Sequence, residues 1–428
     1  MAKGRRNDRP PVSVIIVGDE MKIRLVCILL LVVSMLLGGC KKEVTTLEEE
    51  PTASYDWMAG ESPVVAERVG VSRAGVHLVS HAVSPSGIYF IPEVTTDGGD
   101  YVSVSDDSFI IYADHGSDRF VKLCGRVDCT HDDQDCNAYL YKGSDLSYYQ
   151  GYLYAVSGEG SYTEGCGLIR MAPDGSEHIV VLDMLSFAQE NGGSFAMCDM
   201  INEGYCVFTI YTWKENEEQP DSVMSVPMES YYYKVDGSME GPKSLEDLGS
   251  PYYQCGEVFM ARSKEVVDGI ERDACWDLDL EMGTRSYLTE YPGNPAWFGE
   301  REAYYFKEGA ICRYDYSSEE EERMVDTGLE GNYFAFFFPD CIVVASRDRS
   351  LSDENLYFYN WAFEFVDKVE LDYPHSNAPR FHVVAETAYW LILSDEHPSG
   401  RPTHYIDKSE LGTGDAVPHA LELPELVE

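Results

Sequence analysis

Three thiols and one imidazole fall within thirteen residues of this chain, in the order Cys124, Cys129, His131 and Cys136, a C-x4-C-x-H-x4-C pattern. Such a donor set can surround one tetrahedral ion, and soft thiolates with a single imidazole favour zinc over iron. The same thiols could instead form an exported disulfide, Cys124–Cys136 or Cys129–Cys136, with one thiol left over. The spacing matches none of the better-known zinc-finger templates. Asp132, Asp133 and Asp135 either orient the ligands or solvate the loop.

Other chemistry is sparse. The sequence contains no G-x-S-x-G elbow, no P-loop, no H-E-x-x-H and no helix-opening G-x-G-x-x-G. No catalytic residue is assigned. Cys166, Cys198, Cys206, Cys255, Cys275, Cys312 and Cys341 are expected to be mostly small buried hydrophobes. Cys198 and Cys206 flank a hairpin and could be bridged. His77, His81, His375, His382 and His404 read as structural histidines near strands. Asp277, Asp279 and Glu281 alternate with Trp276, Leu278 and Leu280, the pattern of a strand with one solvated and one apolar face. Glu319 to Glu322 reads as a solvated loop. Tyr231-Tyr232-Tyr233 and Tyr304-Tyr305 suit packing between sheets, because adjacent strand residues face opposite ways.

The elements that position these groups begin with the N-terminus. Met21-Lys22-Ile23-Arg24 is a short basic stretch, and the apolar run from Leu25 to Leu37 follows it. Thirteen residues are too few to span a bilayer, which takes about 20, but they suit the core of a signal peptide. The run ends in Leu37-Gly38-Gly39-Cys40, which resembles the lipobox of bacterial lipoproteins. That resemblance implies lipidation of Cys40 and removal of residues 1–39. Residues 1–20 sit awkwardly before such a signal, so Met21 is expected to be the true start of translation. Residues 40–70 then form an acidic tether, and 71–428 form the folded domain with the Cys/His insert at 124–136. The expected address is the outer face of the cytoplasmic membrane.

Seventy-five acidic residues against 32 basic ones give a formal net charge of -43. Phosphate binding needs clustered cations, so nucleic acid is excluded as a partner. Such a charge also repels anionic lipid, so attachment falls to acyl chains.

The folded domain reads as a repeat. Short apolar runs start at 87, 151, 204, 256, 302, 340 and 387, at spacings of 64, 53, 52, 46, 38 and 47 residues. Each is followed by a companion strand, as at Ile111, Ile169, Tyr232, Trp276, Cys312, Tyr357 and His404. Several companions end in Asp-Gly, which suits tight turns with positive φ. Units of roughly 40–50 residues built of short strands point to an all-β β-propeller. The count gives seven blades, with six or eight allowed, and stacked β-sandwiches are the competing architecture. The first spacing is the longest, and the Cys/His insert occupies the excess.

The insert with Asn137-Ala138-Tyr139-Leu140, the Leu37–Cys40 segment and the blade-like repeats resemble uncharacterised propeller-like lipoproteins of Gram-positive anaerobes. The resemblance implies fold and location and carries over no catalytic residue. The expected function is a lipid-anchored binding or scaffolding module whose funnel takes a peptide, glycan or protein. The alternative is an envelope-associated hydrolase or lyase on extracellular polymer, with carboxylates at the channel.

Overall fold

The structure is a computed structural model. It describes residues 80–424, apart from 93–106, 133, 159–165, 216–222, 250, 256–257, 268–269, 291–294, 300, 332, 347–354, 372–381 and 395–401. Cys40, the signal segment and the tether lie outside the described residues.

Seven four-stranded antiparallel sheets follow one another along the chain. Sheet 1 comprises Ser80–Val83, Gly87–Ile91, Ile111–Asp114 and Val121–Lys122. Sheet 2 comprises Ser144–Tyr149, Tyr152–Ser157, Gly167–Met171 and Ile179–Asp183. Sheet 3 comprises Phe195–Asn202, Tyr205–Glu215, Val223–Lys234 and Lys243–Ser244. Sheet 4 comprises Pro251–Cys255, Val258–Val267, Ile270–Asp279 and Thr284–Glu290. Sheet 5 comprises Pro295–Phe298, Glu302–Lys307, Ala310–Asp315 and Glu320–Asp326. Sheet 6 comprises Tyr333–Phe337, Ile342–Ser346, Asn355–Tyr359 and Phe365–Glu370. Sheet 7 comprises His382–Glu386, Trp390–Ser394, His404–Asp407 and Pro418–Ala420. Each apolar run read from the sequence starts within three residues of the second strand of a sheet, and its companion falls in the third. A helix, Met184–Glu190, follows sheet 2, with Asp183 capping its first turn.

The second strands are buried on both faces, and alternate residues enter different cores. In sheet 1, Ile88 and Phe90 pack with sheet 7, while Tyr89 and Ile91 pack with sheet 2. In sheet 6, Ile342 and Val344 join sheet 5, while Val343 and Ala345 join sheet 7. The tyrosine run behaves the same way: Tyr231 and Tyr233 enter the core shared with sheet 2, and Tyr232 the core shared with sheet 4. A single twisted sheet cannot cover both of its faces, so each is sandwiched between its neighbours. Sheet 7 returns to sheet 1 through Trp390, Ile392 and Ala385 against Ile88, Phe90 and Phe120. Beyond that core the chain end lies along sheet 1: the Phe120 amide donates to the Glu422 carbonyl at 2.7 Å, and the Glu422 amide to the Asp118 carbonyl at 2.7 Å. This is the β-propeller architecture.

The third-to-fourth strand turns are built on aspartate. Asp174, Asp315 and Asp407 each accept both the amide and the hydroxyl of the serine two residues on. Glu319 to Glu322 is not the loop that its charge suggests. Glu320–Asp326 is the fourth strand of sheet 5, paired with Ala310–Asp315; Glu322 meets Arg313 on that neighbour at 2.6 Å, and Glu321 reaches Lys307 at the end of the second strand at 2.8 Å. The third strand of sheet 4 ends at Asp279, so Leu280 and Glu281 fall in the turn beyond it; Leu278 and Leu280 are buried, and Glu281 reaches across to Lys234 of sheet 3 at 2.7 Å.

Candidate metal centre

The insert leaves sheet 1 after Val121–Lys122 and ends at Tyr139–Tyr141, which pairs with Asp107–Phe109 in a small two-stranded sheet. Both ends are fixed to one residue: the Ile110 amide donates to the Ala138 carbonyl at 2.8 Å, and the Leu123 amide to the Ile110 carbonyl at 2.9 Å. The loop therefore starts and finishes at the same place, and the sequence between must fold back on itself.

It does so around the four predicted donors. One ligand atom from each of Cys124, Cys129, His131 and Cys136 lies within 4.8 Å of all the others. All three cysteines are free thiols. Cys136 is buried and the other three donors are half-buried. Cys136 Sγ stands 3.6 Å from His131 Nδ1. A tetrahedral ion about 2.3 Å from sulfur and about 2.0–2.1 Å from nitrogen separates those two donors by about 3.5–3.6 Å, so the observed edge fits. The cluster could hold a metal ion.

The backbone is shaped for this task. His131 has φ 62°, the left-handed region that non-glycine residues seldom occupy. The Lys122 ammonium holds its carbonyl at 2.7 Å, and Arg126 holds the Asp135 carbonyl at 2.6 Å. The Ala138 amide donates to Cys136 Sγ at 3.4 Å. The far side of the loop rests on sheet 2. His178 Nε2 lies 2.9 Å from the Asn137 carbonyl, and Gly175, at φ 79°, packs so closely that a Cβ there would collide with the Leu123 carbonyl oxygen.

The thiols are electrostatically divided. Burial opposes ionisation of Cys124, but amide donors from Arg126 and Asn137 and hydrogen bonds with Cys129 and Cys136 outweigh it and hold the thiol below its ordinary value. Burial pushes Cys136 up to about 12, with Cys129 and Cys124 adding to the effect. Crowded thiols without a cation cannot all ionise together, and a dication at their centre reverses that balance.

A second ionisable constellation has no sequence motif. Lys408 is 1% exposed, and its ammonium donates to both oxygens of Asp340, at 2.9 and 2.8 Å, and to Glu386. Asp340 lies in the first turn of sheet 6, Glu386 ends the first strand of sheet 7, and Lys408 follows its third. Burial disfavours the ammonium, but Glu386 and Asp340 outweigh it and keep the lysine charged. Burial raises Glu386 well above the usual carboxylate range, against the opposing pull of Lys408. His115 occupies the matching turn of sheet 1 and reaches the Ser84 carbonyl at 2.7 Å, a contact within that sheet. Elsewhere, the buried thiols of Cys198 and Cys206 lie 3.9 Å apart and are not bridged.

No family model and no curated protein matches the sequence. Similar solved structures include the β-propeller domain of the Trilobed protease from Pyrococcus furiosus, at 7% identity and TM-score 0.43, over 78% of this chain and 95% of that one. An oligogalacturonate lyase from Vibrio parahaemolyticus is similar at 8% identity and TM-score 0.33, over 61% and 71%. Saccharomyces cerevisiae Sqt1 is similar at 11% identity and TM-score 0.32, over 81% and 96%. The architecture of this chain rests on its own sheet order and shared cores.

Proposed function

We propose that this protein is a lipid-anchored, extracytoplasmic binding or scaffolding module, carried on Cys40 and stapled at its insert by one structural zinc ion. The observation that supports binding over catalysis is the complete donor set. Four protein ligands fill a tetrahedral shell, whereas a catalytic zinc keeps a position open for water or substrate. The zinc in this reading fixes the insert against sheets 1 and 2 and leaves the propeller turns to present a ligand surface on rigid supports. The Lys408 constellation suits the same reading, since its ammonium is enclosed between two sheets.

The address rests on the sequence from Leu25 to Cys40. Cells fed an alkyne-tagged palmitate should label the wild-type chain in the membrane fraction and leave Cys40→Ala unlabelled. An unlabelled wild-type chain in the cytosol would refute the anchor. For binding, the mature protein immobilised and exposed to envelope extract should retain the same partner repeatedly. Turnover of an extracellular polymer by the purified protein would favour the hydrolase or lyase instead.

A further inference from the structure

The last and first sheets form an open hollow of about 380 Å³ on the face that carries the third-to-fourth strand turns. Its walls include Tyr389, Trp390 and Tyr405 from sheet 7, with Asp118 from sheet 1 and Asp407 and Ser409 from the turn of sheet 7. The volume lies within the range of small-ligand sites.

Its walls combine aromatic surface with negative charge. Trp390 and Tyr405 stack with ring centroids 4.2 Å apart, and Tyr389 is 55% exposed. Asp407 Oδ1 is committed to Ser409, through the amide at 2.8 Å and the hydroxyl at 2.6 Å. Its other oxygen, the Asp118 carboxylate and the Tyr405 hydroxyl have no partner among the described residues. Burial, with the charges of Asp118, Asp407 and Glu410, raises the Tyr405 phenol and places those carboxylates around it. The neighbouring cation does not neutralise them. Lys408 sits between Asp407 and Ser409, yet its ammonium turns inward to Asp340 and Glu386. That inward anchor, with the Lys408 amide on the Tyr389 carbonyl at 2.9 Å, holds the wall in place.

We propose that this cavity binds a cationic side chain, an ammonium or guanidinium on a peptide or protein partner. The exposed face of Tyr389 attracts a cation through its ring quadrupole, Trp390 and Tyr405 being stacked on each other and Tyr405 also on His419, and the two carboxylates supply the counter-charge. The net charge of -43 raises the local concentration of such a partner and speeds its encounter. A neutral sugar could also stack on the ring and donate hydroxyls to the carboxylates, but it would leave their charge uncompensated.

The inference rests on the binding-module reading and can fail separately from it. Calorimetric titration of the full chain with acetylated, amidated trilysine is the test, with N,N′-diacetylchitobiose as the neutral comparison. Trilysine should bind, and Asp118→Asn and Tyr389→Ala should each weaken it by about tenfold. Glu319→Gln, which removes an exposed carboxylate on sheet 5, should change it less than twofold. Unaltered circular dichroism and melting temperature in each variant show that the fold is intact. Equal loss in Asp118→Asn and Glu319→Gln would mean attraction by the bulk field and would overturn the site. Binding of the disaccharide without trilysine would overturn the ligand class. An envelope partner retained equally by wild type and Asp118→Asn would refute this cavity while leaving the module intact.

Discussion

Replacing Lys408 by methionine keeps the length and the apolar stem of the side chain and deletes only the ammonium. Glu386, whose side chain is 5% exposed, and Asp340, at 22%, then lose their shared counter-ion. Glu386 cannot regain water without parting sheets 6 and 7, so the variant bears the cost of an uncompensated buried charge. Breaking a buried ion pair by removing one partner costs about 3–5 kcal/mol. Urea unfolding at pH 7, followed by tryptophan fluorescence, should show a loss of that size. The pH dependence gives a sharper check. Burial already raises Glu386, and loss of Lys408 raises it further, so the folded variant binds protons that the unfolded chain does not. The deficit must therefore shrink as pH falls from 7 toward the unfolded carboxylate value of about 4.3. Glu386→Gln in the Lys408→Met background should recover part of the loss at pH 7. A deficit below about 1 kcal/mol, the scale of an exposed pair, or one that stays constant between pH 7 and 5, would refute the buried constellation.

Further outcomes follow from the same contacts. Gly175→Ala should weaken metal binding by about 10- to 100-fold, the range for disturbed ligand supports, as measured by competition with a chromophoric chelator; unchanged affinity would show that sheet 2 does not buttress the insert. Phe358→Ala empties a fully buried site in the core between sheets 6 and 7 and should cost about 3–5 kcal/mol in urea unfolding. Hydrogen bonds from Ser317 and Ser318 lower Asp315 to about 2. A depressed carboxylate stabilises above its unfolded value and loses that contribution as pH falls through its folded value. The melting temperatures of wild type and Asp315→Asn should thus differ at pH 6 and converge toward pH 2; a gap that widens in acid would contradict the turn geometry.

The legible half of the fold was the inner pair of strands in each sheet. The second strands are largely apolar runs because they pack between neighbouring sheets, and several third strands run into an aspartate that caps the turn, as at Asp174, Asp279, Asp315 and Asp407. The flanking strands carry little pattern. Val121–Lys122 and Lys243–Ser244 are two residues each, and Thr284–Glu290 is mostly exposed, so hydrogen bonding to a neighbour, not burial, makes them strands. Glu320–Asp326 misleads for the same reason, since its carboxylates find cations on the second and third strands of the same sheet. The insert was legible because its donors are close in sequence. What draws them together was not, because the left-handed turn at His131 is held by Lys122 of sheet 1 and the buttress at Gly175 belongs to sheet 2. Lys408 gave no signal at all: its partners lie 68 and 22 residues away, and only the packing of sheets 6 and 7 brings them together.

The most direct test of the account is the metal content of the purified full chain, prepared without chelator or reductant and measured by elemental analysis beside intact mass. One zinc per chain is the expected result, with the metal lost in Cys129→Ser and the remaining thiols alkylated only after it is stripped. A metal-free protein whose mass is two protons short would contradict it, because a disulfide would then close the insert in place of an ion.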